Sequence, residues 1–471
     1  MTSKDKILIG LVDADLLNGG TRHPNLVLLK LAGFLTDNAI PFRLIIDKDE
    51  NIMEYTTIYM SKVFSFTPDP PFYEKVKKTP NENKFKIGGT GDYAIKKDIK
   101  DFKSSRTRDM NQLENDIFLN NYPNKRGGKK KWGIDMCRQM PYYHLYDEYI
   151  QSKIKAGRKK SYFNDYLYYS IGFLTRGCIR HCPFCVNKLE NKVYRYSELE
   201  WFLDDERNEK GDLIRPYIYL WDDNFLAAPK EIWQPMLQSL IDSKRPFQFR
   251  QGLDERILAE SEDGEEIAQM LSKCKYHGDF IFAFDNWRDR DKIIKALKIW
   301  KRHNSKRGTK FYLFCGYTLK SGEDEKLYND IKILFERIKI LMQYGCFGYV
   351  MRHADYVNHK LSNIYVQIAR WCNQPQFYRY MSFWEYCYRN QSYWEQKTKK
   401  LDVSNQISFE EFEDRLSNGY YEKNGLKLCK TIQTFVNFLN EFPQHREEIL
   451  KMFNYKLKDL VNPTLWTKKE I

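Results

Sequence analysis

The 471-residue sequence lacks any apolar run that approaches the roughly 20 residues of a membrane-spanning helix. The apolar stretch nearest the start, residues 7–12 in "MTSKDKILIGLVDAD", is also too short for the hydrophobic region of a secretory signal peptide. We therefore expect a cytoplasmic protein with no membrane partner. Apolar and aromatic residues are plentiful, with 42% hydrophobic residues, 33 Tyr and 30 Phe, and this excludes the composition of a disordered chain.

Cysteine is scarce, with ten residues in the whole chain, and most of it is scattered. We do not expect a disulfide framework in so large a chain without a secretion signal. Three cysteines, Cys178, Cys182 and Cys185, cluster at the spacing C-x3-C-x2-C in "LTRGCIRHCPFCVNK" (174–188). The other seven stand alone, as small buried apolar residues often do, at positions 137, 274, 315, 346, 372, 387 and 429.

Acidic residues are outnumbered, since 77 Lys and Arg against 63 Asp and Glu give a formal net charge of +14. Basic residues are concentrated in runs at 124–133, 155–160 and 301–310. Such runs indicate either a polyanionic partner, above all nucleic acid, or solvated surface loops. The runs are dispersed and match no recognition motif, so both interpretations stay open.

The order of strand and helix signals predicts an α/β protein in three parts. Residues 1–135 indicate a small Rossmann-like parallel sheet with a helix at 23–38 and a charged, aperiodic excursion at 92–135. Residues 136–365 repeat the strand and helix signals six times, which favours a (β/α)6 partial barrel. Residues 366–471 are predicted to form a helical C-terminal cap with an amphipathic stripe at 428–439. The predicted strands lie at 6–12, 42–46, 55–64 and 85–91 in the first part, and at 168–174, 215–224, 247–252, 279–286, 310–317 and 346–353 in the second.

The carboxyl-terminal ends of the six predicted barrel strands carry the polar residues of interest. In parallel barrels the active site is built at these strand ends. The cysteine motif follows the first strand, and "WDDN", "RQG", "FDN", "CGY" and "MRH" stand at the ends of the next five. We therefore expect these segments to line one mouth.

Three thiols in one short loop suit either a zinc ion or an iron–sulfur cluster. A structural zinc site has four ligands, usually in paired C-x2-C knuckles. Here His181 lies between the cysteines, and no second pair follows. A [4Fe–4S] cluster bound by three cysteines keeps one iron open to a ligand from outside the protein, which is a catalytic arrangement.

The motif, with Phe184 directly before its last cysteine and five further βα units after it, resembles that of the radical S-adenosylmethionine (radical SAM) superfamily. "VDAD", "RHPN", "IGGTG" and "DDNF" are similar to landmarks of the subgroup that has a cobalamin-binding-like N-terminal domain. The resemblance implies that Cys178, Cys182 and Cys185 bind a [4Fe–4S] cluster whose fourth iron is chelated by SAM. It also implies reductive cleavage of SAM to a 5′-deoxyadenosyl radical, and a reducing partner such as flavodoxin or ferredoxin. The radical then abstracts hydrogen from a substrate that the sequence does not identify, with a nucleic acid or a peptide favoured.

The resemblance also assigns polar residues at the strand ends to SAM binding. Asp222, Asp223 and Asn224 take the place of the glycine-rich segment that lies near the methionine amino group in related enzymes. Arg250 and Gln251 are assigned to the carboxylate or the ribose. The remaining candidates are Asp285 with Asn286, Tyr317, and Arg352 with His353. Capped strand-end turns are the alternative interpretation of these residues.

Cobalamin is not expected, because the cobalt-ligating motif D-x-H-x-x-G is absent and His23 lies in a different context, "GGTRHPN". "IGGTG" (87–91) is neither G-x-G-x-x-G nor a Walker motif, so a tight turn is the favoured interpretation. Two alternative functions stay open. One is a cobalamin-dependent radical SAM methyltransferase acting on a small molecule, and the other is a zinc-containing protein that binds nucleic acid without catalysis.

Overall fold

A computed structural model describes residues 8–89, 91, 134–187, 190–399 and 406–467. The chain divides into two compact units, Met1–Gln251 with Cys274–His277 and Gly252–Lys273 with Gly278–Ile471. All but two residues of the charged excursion predicted at 92–135 lie outside the described residues. The domain boundaries predicted after residues 135 and 365 stay predictions. The fold is mixed α/β with parallel sheets, as the sequence predicts.

The first unit begins with a four-stranded parallel sheet in the order β2-β1-β3-β4. The two inner strands, β1 and β3, are buried at every residue, because helices and neighbouring strands enclose them. The elements in chain order are β1 (Ile9–Asp13), α1 (Ala14–Gly19), α2 (Leu26–Asp37), β2 (Phe42–Leu44), β3 (Thr57–Ser61), α3 (Pro71–Val76) and β4 (Phe85–Gly88). The predicted parallel sheet of the N-terminal region is therefore confirmed.

Helix α2 starts three residues later than the pattern predicts. The side chain of Asn25 accepts a hydrogen bond from the Leu28 amide over 3.3 Å, so Asn25 is the N-cap and Pro24 precedes the helix. The helix then buries seven of its twelve residues against the sheet. Its amphipathic pattern is thus satisfied by tertiary packing.

The first unit continues with a second parallel sheet in the order β5-β8-β9 and a two-stranded antiparallel pair, β6 and β7. Helix α6 follows β8 and buries Trp233, Met236, Leu237 and Leu240, the face that the sequence predicts. The elements are α4 (Asp147–Lys155), α5 (Asn164–Leu167), β5 (Tyr169–Gly172), β6 (Thr175–Gly177), β7 (Val193–Arg195), β8 (Tyr217–Leu220), α6 (Lys230–Asp242) and β9 (Phe247–Phe249).

The second unit contains a third parallel sheet, β10-β11-β12, followed by helices to the end of the described chain. Its first elements are α7 (Arg256–Glu260), α8 (Gly264–Lys273), β10 (Phe280–Ala283), α9 (Arg290–Asn304), β11 (Thr309–Cys315), α10 (Asp324–Gln343) and β12 (Phe347–Arg352). The helical end consists of α11 (Asn363–Cys372), α12 (Pro375–Tyr380), α13 (Phe383–Lys399), α14 (Phe409–Ser417), α15 (Tyr420–Lys423), α16 (Lys430–Glu441), α17 (Arg446–Phe453), α18 (Leu457–Leu460) and α19 (Thr464–Thr467).

The amphipathic stripe predicted at 428–439 forms the buried face of α16. Ile432, Phe435 and Leu439 are buried as expected, and Phe438 joins them. The segment "SELE" (197–200) has the S-x-x-E pattern that predicts a capping box at Ser197, but this prediction is wrong, because only a single 3₁₀ turn follows. The Ser197 hydroxyl instead donates to the Cys137 carbonyl oxygen over 2.6 Å. None of the helices in the described ranges combines the length and the apolar composition that crossing a bilayer requires.

Candidate functional site

The three clustered cysteines lie in the connection between β6 and β7, residues 178–192, which we call the cysteine loop. Strands β6 and β7 pair with Gly177 opposite Val193, so the two ends of the loop lie side by side. Gly177 has a φ of +93°, and a Cβ there would lie 2.2 Å from the Lys192 carbonyl oxygen. Only glycine tolerates both the backbone angle and this approach. The hairpin thus closes the base of the loop directly before Cys178.

Amide groups donate hydrogen bonds to two of the three sulfurs. The Arg180 backbone amide donates to Cys178 Sγ over 3.3 Å, and the Asn187 backbone amide donates to Cys185 Sγ over 3.4 Å. The Asn224 side chain adds a second donor to Cys178 Sγ at 3.5 Å. Donors directed at sulfur favour the thiolate over the thiol, and they tune iron–sulfur clusters. The loop therefore suits anionic sulfur.

The scattered cysteines occupy a different environment. Cys274, Cys315, Cys346, Cys372 and Cys387 are buried in the cores of their units. Burial raises the pKa of Cys346 to about 11, and it also raises the pKa of Cys315, Cys372 and Cys387. Neutral thiols of this kind are inert packing residues, as the sequence predicts for them. The three cysteines of the loop are only half-buried.

Asp222 connects the end of β8 to the segment that leads into the cysteine loop. Its carboxylate accepts hydrogen bonds from the Leu174 amide at 3.2 Å, the Thr175 amide at 2.6 Å and the Thr175 hydroxyl at 2.7 Å. The residue is 1% exposed. Desolvation by burial raises the pKa of Asp222 to about 7, although its three donors act in the opposite direction. Asp222 therefore fixes the chain between β5 and β6.

Asp223 bonds both to the residue directly before the cysteine loop and to a residue within it. One carboxylate oxygen accepts from the Gly177 amide at 2.9 Å, and the other accepts from Asn187 Nδ2 at 2.9 Å. Arg176 Nε lies 3.2 Å from Asp223 Oδ2 and supplies the compensating charge. Asp222 and Asp223 thus hold the chain at the loop through their carboxylates, and Asn224 donates to a cysteine sulfur. We call these three residues the clamp.

The sequence predicts that the side chains of residues 222–224 contact SAM. The structure shows a further role for these side chains. Asp222, Asp223 and Asn224 hold the cysteine loop, and their contacts with SAM stay predictions. Sequence reasoning missed this role, because nothing in the linear chain connects residues 222–224 to residues 174–187. The one available signal was that two motifs of unusual composition follow neighbouring strands.

Arg250 lies at the end of β9 and packs on an aromatic ring. Its guanidinium carbon is 4.5 Å from the centre of the Tyr219 ring, and its nitrogens lie 3.9 Å from Asp165 and 3.5 Å from His23. A nearer acceptor is Gln248 Oε1 at 3.1 Å. Arg250 lines a large cavity of the first unit. Gln251, the other candidate here, is exposed, and a SAM contact for either residue stays a prediction.

Candidates in the second unit lie at the carboxyl edge of the β10-β11-β12 sheet. Asp285 is half-buried, and desolvation raises its pKa; it accepts from the Phe314 amide at 3.0 Å. The Tyr317 ring packs edge-on against His353, with ring centres 5.0 Å apart. Arg352 donates to the Tyr356 hydroxyl at 3.1 Å.

One further candidate, Asn286, accepts from the Arg288 amide at 3.0 Å and so caps a turn. The structure therefore brings these residues to one edge of one sheet, and the single mouth expected for all six strand ends stays a prediction. Their roles in SAM binding stay predictions.

Two segments of the N-terminal sheet, "VDAD" and "IGGTG", contain residues with structural roles. Asp13 caps α1 by accepting from the Leu16 amide at 3.1 Å, and it accepts from the Tyr146 hydroxyl at 2.9 Å. Burial raises the pKa of Asp13 to about 7. At "IGGTG", Gly89 has a φ of +106°, and a Cβ there would lie 2.4 Å from the Lys62 carbonyl oxygen. The favoured interpretation, a tight turn, is confirmed at this glycine.

The donor set of the cysteine loop fits a [4Fe–4S] cluster bound by three protein ligands. The Cys185 backbone amide donates to the Cys182 carbonyl oxygen over 3.0 Å, so these two cysteines flank one turn. Cys178 follows the hairpin directly and receives the side-chain donor of Asn224. Among the described residues, no three His, Cys, Asp or Glu side chains converge as a preformed metal site. The assignment of this loop therefore depends on the chemistry of its sulfurs.

Comparison with known proteins adds no identification. No protein-family model matches the chain, and no curated protein matches it at a significant level of similarity.

Proposed function

We propose that this chain is a radical SAM enzyme. It would cleave SAM reductively and use the 5′-deoxyadenosyl radical to abstract hydrogen from a macromolecular substrate. The observation that carries the proposal is the cysteine loop itself. Three half-buried cysteines at C-x3-C-x2-C lie in the connection of the β6-β7 hairpin, which follows β5 of a parallel sheet, and amide donors point at the sulfurs of Cys178 and Cys185. Hydrogen bonds to sulfur tune the reduction potential of iron–sulfur clusters.

The proposal includes a (β/α)6 partial barrel with a Rossmann-like domain before it and a helical cap after it. Two three-stranded parallel sheets, β5-β8-β9 and β10-β11-β12, supply six strands in chain order, and helices separate the last five of them, which supports this architecture. Between β5 and β8 the chain instead forms the antiparallel β6-β7 hairpin and a 3₁₀ turn. The predicted candidates for SAM binding follow five of these six strands.

The residues of the chain would divide the work as follows. Cys178, Cys182 and Cys185 would bind a [4Fe–4S] cluster as thiolates. When bound, the cluster supplies the electron that breaks the sulfonium carbon–sulfur bond of SAM. Asp222 and Asp223 would hold the cysteine loop in the geometry that this binding requires, because both carboxylates accept from backbone amides of the strand that leads into the loop. Positioning of ligands by their neighbours is what fixes a metal site.

Anaerobic reconstitution of the full-length chain with iron and sulfide tests the proposal. We expect about four iron atoms per chain, a brown protein that bleaches in air, and release of 5′-deoxyadenosine on addition of SAM and dithionite. Metal analysis, visible absorption and chromatography measure these three results. One zinc per chain with no iron uptake would overturn the proposal in favour of a zinc protein. Corrinoid in the protein purified without oxygen would move the assignment to a cobalamin-dependent methyltransferase.

A further inference from the structure

A cavity of about 1020 Å³ opens in the first unit, and its lining is strongly basic. It is formed by the loop before α2, by α4 and the chain that follows it, by α5, and by the ends of β8 and β9. Lys153 and the segment from Gly157 to Lys159 contribute three cations from one side. The basic residues that line it are Arg22, Lys153, Arg158, Lys159 and Arg250.

The positive charge of the cavity is not neutralised from within. Asp165 is the one carboxylate among the described residues that line it, and it is already paired with His23 and lies 3.9 Å from Arg250. In the described parts of the chain, no carboxylate lies within ion-pairing distance of the other four cations. Like charges held together in a concave site raise the local concentration of anions. The cavity is therefore built to receive an anionic ligand with several charges.

Aromatic rings hold the guanidinium groups without cancelling their charge. The guanidinium carbons of Arg22 and Arg158 lie 5.5 Å and 4.7 Å from the centre of the Tyr162 ring. Arg250 lies over Tyr219 in the same way. A guanidinium that packs on a ring keeps its N–H edge free for bidentate hydrogen bonds to phosphate oxygens. These contacts preorganise phosphate donors.

We propose that this cavity binds the phosphate groups of a nucleic acid strand. A strand is favoured over a mononucleotide because the exposed segment 155–160, "KAGRKK", continues the cationic surface past the cavity with Lys155 and Lys160. Cationic grooves with aromatic side chains are the usual means of binding single strands. The binding itself is independent of cluster chemistry. As an assignment of the substrate class of the radical reaction, it rests on the proposed function.

Fluorescence anisotropy with a labelled single-stranded RNA 20-mer, and with a DNA strand of the same sequence, tests the inference on the full-length chain. The test variant is R22Q/R158Q/K159Q, which leaves out Arg250 because Arg250 is also a candidate for SAM binding. The matched control, K48Q/K75Q/K210Q, removes three exposed lysines of the same unit that do not line the cavity. Circular dichroism melting verifies that both triple variants are folded.

We expect wild-type binding to weaken steeply with salt. The test variant should bind about tenfold more weakly or worse, with the slope of log affinity against log salt reduced by about 2, since each lost contact to a single strand removes about 0.7. The control should stay within about twofold of wild type. Equal losses in test and control, or a strand that does not bind while inorganic phosphate or adenosine triphosphate does, would overturn the inference.

The titrations are made before and after anaerobic reconstitution, so the two proposals can fail separately. Strand binding that the test variant loses, without any release of 5′-deoxyadenosine by wild type, would retain the cavity assignment and reject the radical function. Release of 5′-deoxyadenosine without any strand binding would reject the cavity assignment alone.

Discussion

At the carboxyl ends of their strands, two parallel sheets of this protein pair buried backbone groups with side chains of opposite charge. Beside the β5-β8-β9 sheet, Asp222 and Asp223 accept hydrogen bonds from backbone amides of the chain that enters the cysteine loop. At the β10-β11-β12 sheet, the 1% exposed Arg337 donates to the carbonyl oxygens of Phe284 at 2.7 Å and Phe314 at 3.0 Å. Buried backbone groups need partners in both cases. The acidic edge holds the chain that enters the cysteine loop, whereas the basic edge ties neighbouring strand ends to each other.

The largest expected effect is the difference in iron binding between a variant of Cys182 in the cysteine loop and a variant of Cys315 at the basic edge. Cys182→Ala should remove iron binding and 5′-deoxyadenosine release to below detection, because the loop loses one of three ligands. Cys315→Ala, at the end of β11, should retain both and lose about 1 kcal/mol of stability from the small cavity created. Iron analysis and product chromatography measure the difference. Iron retained by the Cys182 variant would remove that residue from the site.

The basic edge should be the more important one for stability. Arg337→Met leaves buried carbonyl oxygens without donors, and we expect a loss of about 3 kcal/mol in the free energy of unfolding. The control Arg302→Met on α9, which removes a partly exposed ion pair with Glu265 of α8, should cost about 0.5 kcal/mol or less. The shift of the urea midpoint measures both. Similar midpoints for the two variants would contradict the role assigned to Arg337.

The contribution of Asp222, at the acidic edge, to the stability of the fold should depend on pH. Between its ordinary pKa of 3.8 and its raised pKa of about 7, Asp222 keeps a proton in the folded state that the unfolded chain releases. The contribution of Asp222 to stability is therefore greatest below pH 3.8 and is lost as the pH rises through about 7. The destabilisation caused by Asp222→Asn should thus be larger at pH 5 than at pH 8, by on the order of 1 kcal/mol.

Urea unfolding of wild type and variant at the two pH values measures this difference. Asp242→Asn, at an exposed position on α6, is the matched control and should cause the same small change at both pH values. A larger penalty for Asp222→Asn at pH 8 than at pH 5 would show that the carboxyl group is ionised in the folded protein throughout this range.

The smallest expected effect concerns the hydrogen bond that the Asn224 side chain donates to Cys178 Sγ. Asn224→Ala should leave cluster binding intact and make the reduction potential more negative by less than about 60 mV, since one hydrogen bond to sulfur is lost. A redox titration followed by electron paramagnetic resonance measures the potential. Asn208→Ala, in an exposed turn, should leave the potential unchanged. An unchanged potential in the Asn224 variant would mean that the amide does not act on the cluster.

Much of the fold could be predicted from local patterns. The strand at 217–220 falls inside its predicted range, and the strands at 9–13 and 309–315 overlap the predicted 6–12 and 310–317, because buried parallel strands are continuous apolar runs. The buried faces of α6 and α16 follow from helical periodicity. The capping box at Ser197 was a wrong prediction, since the serine hydroxyl finds a distant carbonyl partner instead of a local amide.

The candidate site was predictable only in part. The spacing of the three cysteines is visible in one short segment, and so is its position after a strand. The clamp formed by Asp222, Asp223 and Asn224 was not, because its partners lie 35 or more residues away along the chain. A basic run at 155–160 could be read equally as a solvated loop until the fold placed it beside Arg22 and Arg250.

The sequence by itself determined the alternation of strands and helices, the absence of a long apolar run and the grouping of three thiols, because each of these depends on residues within about a dozen positions of one another. Tertiary structure alone decided which carboxylates hold the cysteine loop and which cations share a cavity. These pairings join residues as far apart as His23 and Arg250, and only the packing of sheets and helices brings such residues within hydrogen-bonding range.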